Sequence, residues 1–306
     1  LDDLSSLQQR PKGEEIHLAT PKPSYRLTSG KTPKNSSQGT NPMSGVYLDY
    51  YLPKIHDSLE VQLSILQNDK IIRTYSSKKD TDFKSWPGGP SLDQTLPHKE
   101  GYNRVYWDYG SYSGSRVAPG NFKARLSYGT ETKEVTIQVL PNPNLEYSES
   151  DFEEQQTLLL NIEGAIKNIH HAVSQMRTVQ EQLDHYTRLL EDNETFDTLY
   201  DQALAIQKQL KEWELNLIQP DQKTFQDVIN FNNKLNAELM YLKDFVDAED
   251  PIVTQGAKTR SLDLLAQWEI QEKELYQIIN EAFNSFESNY RSSEAPILKF
   301  DLGKDN

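Results

Sequence analysis

The chain of 306 residues contains no cysteine, so neither a disulfide nor a thiolate metal site can form. It also lacks a run of about 18 apolar residues, the length that a helix needs to cross a membrane. We therefore expect no membrane span. The sequence begins at Leu1 without a charged or apolar leader. We expect it to be a fragment or a processed form, with any targeting signal upstream.

Motifs of common catalytic and metal sites are missing as well. The chain has no HExxH pair, no P-loop and no GxGxxG sequence. Gly110-Ser-Tyr-Ser-Gly114 differs from a nucleophile elbow because Tyr112 stands where the serine would be. No spacing marks a pair of carboxylates suited to glycoside hydrolysis. We therefore predict no catalytic residue, no metal site and no cofactor, and we expect that this chain is not an enzyme.

The net charge of −14 is unevenly distributed. Residues 1–145 contain 18 Lys and Arg against 15 Asp and Glu, whereas residues 146–306 contain 14 against 31. Such an acidic second half repels a phosphate backbone, so we expect no nucleic-acid binding there. An excess of carboxylates is typical of a solvated surface that keeps a domain soluble.

Residues 1–44 are predicted to be an extended linker or arm. Five prolines, and a stretch rich in Ser, Asn, Gly and Lys from Ser29 to Gly39, favour irregular structure. The apolar pieces Ile16-His-Leu18 and Tyr25-Arg-Leu27 are long enough only to dock as short extended segments.

Between residues 45 and 142 the apolar pattern has a period of two, which is typical of half-buried strands. The pairs Asn68-Asp69 and Gly129-Thr130 are suited to hairpin turns. The pattern predicts strands at Val46–Leu52, Leu59–Leu66, Ile71–Tyr75, Asn103–Trp107, Asn121–Tyr128 and Lys133–Leu140. Six strands at this spacing predict an antiparallel β-sandwich, and the loop from Ser76 to Pro97 leaves room for a seventh.

After Pro143 the apolar pattern changes to steps of three and four, which is typical of helices. The capping boxes Ser150-Asp-Phe-Glu153 and Thr224-Phe-Gln-Asp227 indicate where the first and third helices begin. The second and fourth helices are predicted near residues 199–217 and 254–286. Short connections predict an antiparallel four-helix bundle at 148–291, followed by an irregular tail at 292–306.

Three motifs of the predicted sandwich carry a resemblance. Lys70-Ile-Ile-Arg-Thr74, Gly101-Tyr-Asn-Arg-Val-Tyr-Trp-Asp108 and Ala118-Pro-Gly-Asn-Phe122 resemble the immunoglobulin-like (Ig-like) domain of the flagellar hook-capping protein. A longer order is formed by Leu1-Asp-Asp-Leu4, the stretch from His17 to Arg26, Asn41-Pro, the sandwich and the helices. This order is similar to the C-terminal region of large bacterial sortilin-like β-propeller proteins with neuraminidase-type repeats, which are often labelled glycosyl hydrolases.

The resemblance covers nearly the whole chain. It implies that a β-propeller precedes this region in the same polypeptide, and that the protein is periplasmic or extracellular. The resemblance assigns no catalytic role to any residue of this chain. We therefore expect a non-catalytic structural or interaction region, an Ig-like sandwich followed by a helical bundle, that packs on or extends the propeller.

Tyrosines concentrated near two predicted strands suggest an alternative function. Aromatic rings stack on sugars, and the candidate patch consists of Tyr47, Tyr51, Tyr102, Tyr106, Tyr109 and Tyr112. Of these, Tyr102, Tyr106, Tyr109 and Tyr112 are predicted to bind a carbohydrate or a protein ligand. The chain is then a carbohydrate-binding accessory module of a glycoside hydrolase. Tyrosine is also a favoured strand residue, and outward rings could be covered by the N-terminal arm or by another domain.

Overall fold

The computed structural model describes residues 6, 8–9, 15–28, 43–56, 58–86, 88–112, 114–191, 193–224, 227 and 229–296. It has mixed β and α structure, with two sheets and a set of helices. The chain divides into two compact units. Unit 1 consists of Leu1–Ser85, Ser91–Glu163 and Lys243–Gln255, and unit 2 of Trp86–Pro90, Gly164–Leu242 and Gly256–Asn306. The predicted domain limits remain predictions.

The strands of unit 1 occupy the segments with period-two alternation. They are β1 (His17–Leu18), β2 (Ser24–Tyr25), β3 (Val46–Leu52), β4 (Val61–Gln67), β5 (Lys70–Ser76), β6 (Gly101–Trp107), β7 (Gly120–Tyr128) and β8 (Glu131–Leu140). β3 to β8 are the six predicted strands, and β1 and β2 are the short docked segments expected before residue 44. Among the described residues between β5 and β6 there is no seventh strand, so that expectation is wrong for this part of the loop.

The strands form two sheets that share one apolar core. The orders are β1-β3-β6 and β2-β8-β7-β4-β5, and only the β2–β8 pair is parallel. Inward residues of both sheets line the core. Trp107 lies there with its ring centroid 5.3 Å from that of Phe122, and its Nε1 donates to the Gly110 carbonyl at 2.9 Å. Trp107 and Phe122 are both buried.

The turn between β4 and β5 has the geometry that its sequence predicts. Asn68 and Asp69 have φ angles of 50° and 60°, and both belong to the left-handed region. Two successive residues of this kind are the signature of the type I′ turn, whose twist matches that of the flanking strands. The Asn68-Asp69 hairpin is therefore confirmed.

The helices follow β8. They are α1 (Glu149–Leu190), α2 (Asp197–Leu217), α3 (Leu235–Val246), α4 (Gln255–Gln277) and α5 (Asn284–Ser292). A 3₁₀ turn at Glu194–Phe196 precedes α2, and a π-helical segment at Ile278–Phe283 joins α4 to α5 without a break. The first helix, α1, is 42 residues long. No helix in the described residues is long and apolar enough to cross a membrane.

The first helix is capped two residues earlier than predicted. The Asp151 carboxylate accepts a hydrogen bond from the Ser148 amide at 2.7 Å, and the Ser148 hydroxyl accepts one from the Asp151 amide at 3.3 Å. This is a reciprocal capping box with aspartate in the place of glutamate. The predicted box at Ser150 and Glu153 is wrong, because Ser150 already lies inside the helix.

The third helix begins later than predicted. The Asp227 carboxylate does accept hydrogen bonds from the amides of Lys223 and Thr224, at 2.7 and 2.6 Å. These bonds lower the pKa of the Asp227 carboxyl. However, they close a local turn, since the α-helix starts only at Leu235. Phe225, Gln226 and Val228 of the predicted start lie outside the described residues.

The apolar seam of α2 is buried as its spacing predicts. Its buried residues are Leu199, Ala203, Ile206, Leu210, Trp213 and Leu217. The Trp213 indole is fully buried, and its Nε1 donates to the Gln271 carbonyl at 2.9 Å. Beside it the Arg177 guanidinium pairs with the Glu214 carboxylate at 2.6 Å. The seam thus joins α2 to α4 and α1 within unit 2.

The β4–β5 turn allows a test of its backbone conformation. Asp69→Gly and Asp69→Ala both remove the exposed ion pair with Lys123. The difference between their free energies of unfolding therefore reports the cost of a Cβ in the left-handed backbone conformation. We expect the free energy of unfolding to be about 1 kcal/mol higher for Asp69→Gly, because a Cβ is costly at positive φ. Urea denaturation measures the difference. At exposed Thr132 in β8 the same two substitutions should rank in the opposite order. Equal stabilities at position 69 would contradict the turn assignment.

Candidate interaction site

Residues 15–28, here named the arm, extend both sheets of unit 1. β1 pairs antiparallel with β3, with Leu18 opposite Tyr50, and β2 pairs parallel with β8, with Tyr25 opposite Leu140. The Ala19 amide continues the first pairing to the Asp49 carbonyl at 2.9 Å. The arm therefore occupies one edge of each sheet, where backbone groups otherwise lack partners.

Apolar side chains anchor the first part of the arm. Ile16, Leu18 and Ala19 are each at most 3% exposed, and Ile16 and Leu18 belong to the core shared by the two sheets. His17 lies between them on the opposite side of the strand, as the period of two requires. Burial lowers the pKa of the His17 imidazole, and the Lys133 ammonium lowers it further. The neutral imidazole is therefore favoured.

A buried arginine anchors the second part of the arm. The Arg26 side chain is 1% exposed, and its guanidinium donates to acceptors on three other segments. Nε donates to the Val117 carbonyl at 3.0 Å, Nη1 to the Ala248 carbonyl at 3.0 Å, and Nη2 to Gln155 Oε1 and Asp247 Oδ1 at 3.2 Å each. The planar fork of guanidinium donors suits such an array, which a lysine ammonium cannot satisfy.

The acceptors around Arg26 are themselves held by other groups. Gln155 is fully buried, and its Nε2 donates to the Val246 carbonyl at 2.8 Å. The Asp247 carboxylate also accepts from the Arg116 amide and from Arg116 Nε, at 3.2 and 3.3 Å. We name these acceptors, Val117, Gln155, Asp247 and Ala248, the arginine socket. Their positions are set from outside the arm.

Burial perturbs both charges of the Arg26–Asp247 pair. Burial lowers the pKa of Arg26 to about 10, with the nearby Arg116 guanidinium adding to the shift, so Arg26 remains charged at neutral pH. Burial also raises the pKa of the Asp247 carboxyl, although Arg116 and Arg26 both oppose that shift. Desolvation therefore outweighs ion-pair attraction at Asp247, as is common when charges leave water.

The outer surface of the three-stranded sheet carries three cross-strand pairs between β3 and β6. Tyr47 lies opposite Tyr106, Asp49 opposite Arg104, and Tyr51 opposite Tyr102. The ring centroids of the two tyrosine pairs are 5.7 and 5.3 Å apart. Arg104 Nε donates to Asp49 Oδ1 at 2.6 Å, and its guanidinium stacks 5.2 Å from the Tyr47 ring. We name these six residues the tyrosine face.

The structure separates the four tyrosines predicted to bind a ligand. Tyr102 and Tyr106 lie on the tyrosine face, and Tyr102 is 37% exposed. Tyr109 is fully buried and its hydroxyl donates to the Tyr25 carbonyl at 2.7 Å, so its place in an exposed platform is wrong. Tyr112 is exposed beside β5, where its hydroxyl donates to Thr74 Oγ1.

Sequence reasoning missed the arginine socket. Arg26 and Asp247 are 221 positions apart, and no local pattern connects them. Gln155 could have been noticed, because a polar residue among the buried positions of α1 signals a buried hydrogen bond. In the described residues no group of three or more His, Asp or Glu side chains is arranged to hold a metal ion.

Comparison of the chain with protein-family models gives no match, and comparison with curated proteins gives none either.

Arg26→Met tests the importance of the socket for stability. The methionine keeps the apolar stem but removes every donor, which leaves buried acceptors with fewer partners. We expect the free energy of unfolding to fall by about 3–5 kcal/mol, the usual cost of breaking a buried charge pair. Arg125→Met, which removes an exposed pair with Glu134, should cost about 1 kcal/mol or less. Urea denaturation compares the two. Similar losses would show that the socket contributes little.

Proposed function

We propose that this chain is a non-catalytic structural and interaction region of a larger secreted protein, and that it packs on or extends a β-propeller of the same polypeptide. The observation that carries the proposal is the docking of the arm. Flexible linkers let neighbouring domains move, whereas a segment that extends two sheets and buries an arginine is fixed to its own domain. An arm that is fixed in this way suits a region that holds a neighbouring domain in place.

Contacts before the arm support the same role. Gln9 Nε2 donates to the Thr20 carbonyl at 3.0 Å, and the Thr20 amide donates back to Gln9 Oε1 at 2.9 Å. The Ser6 hydroxyl donates to the Asp49 carboxylate. Ser6 and Gln9, which precede the arm, therefore contact Asp49 of β3 and Thr20 of the arm.

The finer architecture is part of the proposal. The two sheets with a shared core support an Ig-like sandwich, and the buried seam of α2 supports an antiparallel four-helix bundle. A periplasmic or extracellular location comes from the resemblance to sortilin-like β-propeller proteins.

Cross-linking tests the structural role. The polypeptide including the residues encoded before Leu1 is treated with a lysine-reactive cross-linker and digested for mass spectrometry. We expect a propeller upstream, with cross-links to unit 1 at Lys22 or Lys54, since Lys22 lies in the arm and Lys54 is an exposed residue just after β3. Cross-links within unit 1 are the internal control. A polypeptide without a propeller, or a propeller without cross-links to unit 1, would contradict the proposal.

A carbohydrate-binding accessory module is the second candidate, because the tyrosine face brings four tyrosines together beside an arginine–aspartate pair. A glycan array with the whole chain tests it. If this function is right, Tyr102→Ala should weaken glycan binding about tenfold or more, by analogy with the about 1–3 kcal/mol that a nucleic-acid base stacked on an aromatic ring contributes. Tyr147→Ala is the matched control, because Tyr147 lies outside the face and is 40% exposed, close to the 37% of Tyr102. An array without any bound glycan would remove this candidate.

A further inference from the structure

The arm lies in unit 1 as a peptide ligand lies in a receptor. β1 and β2 contain two residues each, so strand pairing alone provides few hydrogen bonds. The side chains add two separate anchors, the buried Ile16–Ala19 segment at one end and the Arg26 guanidinium at the other. Strand addition with side chains in pockets is a recurring mode of peptide recognition.

We propose that unit 1 contains a binding groove for an extended peptide, and that the arm is the peptide that occupies this groove. Once the chain is cut after the arm, the arm stays bound but can exchange with a free peptide of the same sequence. The groove comprises the edges of β3 and β8 that pair with β1 and β2, the apolar pocket for Ile16 and Leu18, and the arginine socket. The proposal deepens the structural role proposed above, because it identifies what fixes the arm.

The receptor side of the groove is built without the arm. Gln155 is oriented by the Val246 and Ala248 carbonyls, with bonds of 2.8 and 3.1 Å from its Nε2. The Asp247 carboxylate also accepts hydrogen bonds from the amide and Nε of Arg116, which lies outside the arm. A site whose groups are already held in place loses less conformational entropy when its ligand binds.

The ligand side is restricted as well. Pro21 and Pro23 stand between the two anchors, and each fixes its own φ angle and favours an extended residue before it. An arm with fewer accessible conformations loses less entropy on docking. The groove therefore selects an extended segment with two apolar side chains near its start and an arginine near its end.

A cleavable variant of the whole chain tests the proposal. A recognition sequence for a specific protease is inserted between residues 31 and 34, and the folded protein is then cut. We expect the fragment that contains the arm to coelute with the remainder in gel filtration at micromolar concentration. Loss of the fragment from a remainder that keeps its circular dichroism spectrum would overturn the proposal.

A peptide-exchange experiment places the substitutions in a synthetic peptide. The folding of the protein is therefore unaffected by them. A labelled synthetic peptide of residues 15–28 is added in excess to the cut protein, and its binding is followed by fluorescence anisotropy. The Arg26→Met peptide should bind about 10- to 100-fold more weakly, as expected when a buried anchor is removed. The Tyr25→Ala peptide is the control, because Tyr25 is 46% exposed and should bind like the original.

Equal binding of the Arg26→Met and original peptides would overturn the assignment of the socket. Absence of any exchange after prolonged incubation would overturn the claim that the arm is an exchangeable ligand. Neither experiment involves a propeller, so their failure is distinguishable from a failure of the cross-linking experiment.

Discussion

A buried guanidinium is the constraint on which the organisation of unit 1 depends. Taking Arg26 out of water is costly unless every donor finds an acceptor. No single element supplies enough acceptors, so the loop before β7, the first turns of α1 and the segment after α3 all contribute. This requirement explains why unit 1 includes Lys243–Gln255, which are separated from β8 by a long stretch of helix and connection.

Elements governed by local periodicity could be predicted from the sequence, whereas elements governed by distant partners could not. Apolar residues at every second position predicted β4 and β7, and apolar residues three and four positions apart predicted the buried seam of α2. Both patterns are local, because the burial of one face is encoded in neighbouring residues. The same alternation places Tyr102 and Tyr106 on one face of β6. The alternation also places Tyr109 on the inward side with Val105 and Trp107, and Tyr109 is fully buried.

The two errors at helix starts share a physical origin. Ser148-Asp151 and Ser150-Glu153 are both acceptable capping boxes, and Thr224-Asp227 is a third. A box satisfies the first amides of a helix, but it also stabilises an isolated turn, as at Asp227. Whether a helix follows depends on an apolar face that finds a partner, and α3 starts only where Leu235, Leu239 and Leu242 become buried.

The geometry of the tyrosine face bears on which kind of partner fits it. The planes of Tyr47 and Tyr106 meet at 53°, and those of Tyr51 and Tyr102 at 65°. Rings so tilted against each other form no common flat platform on which successive sugar rings could stack. Tyrosine and arginine side chains that hold one another in fixed positions are instead typical of the energetically dominant residues of protein interfaces. Arg104 and Asp49 already neutralise each other, so a partner docked there would leave no buried charge unpaired. For the function proposed above, the face therefore suits contact with a protein domain better than contact with a glycan.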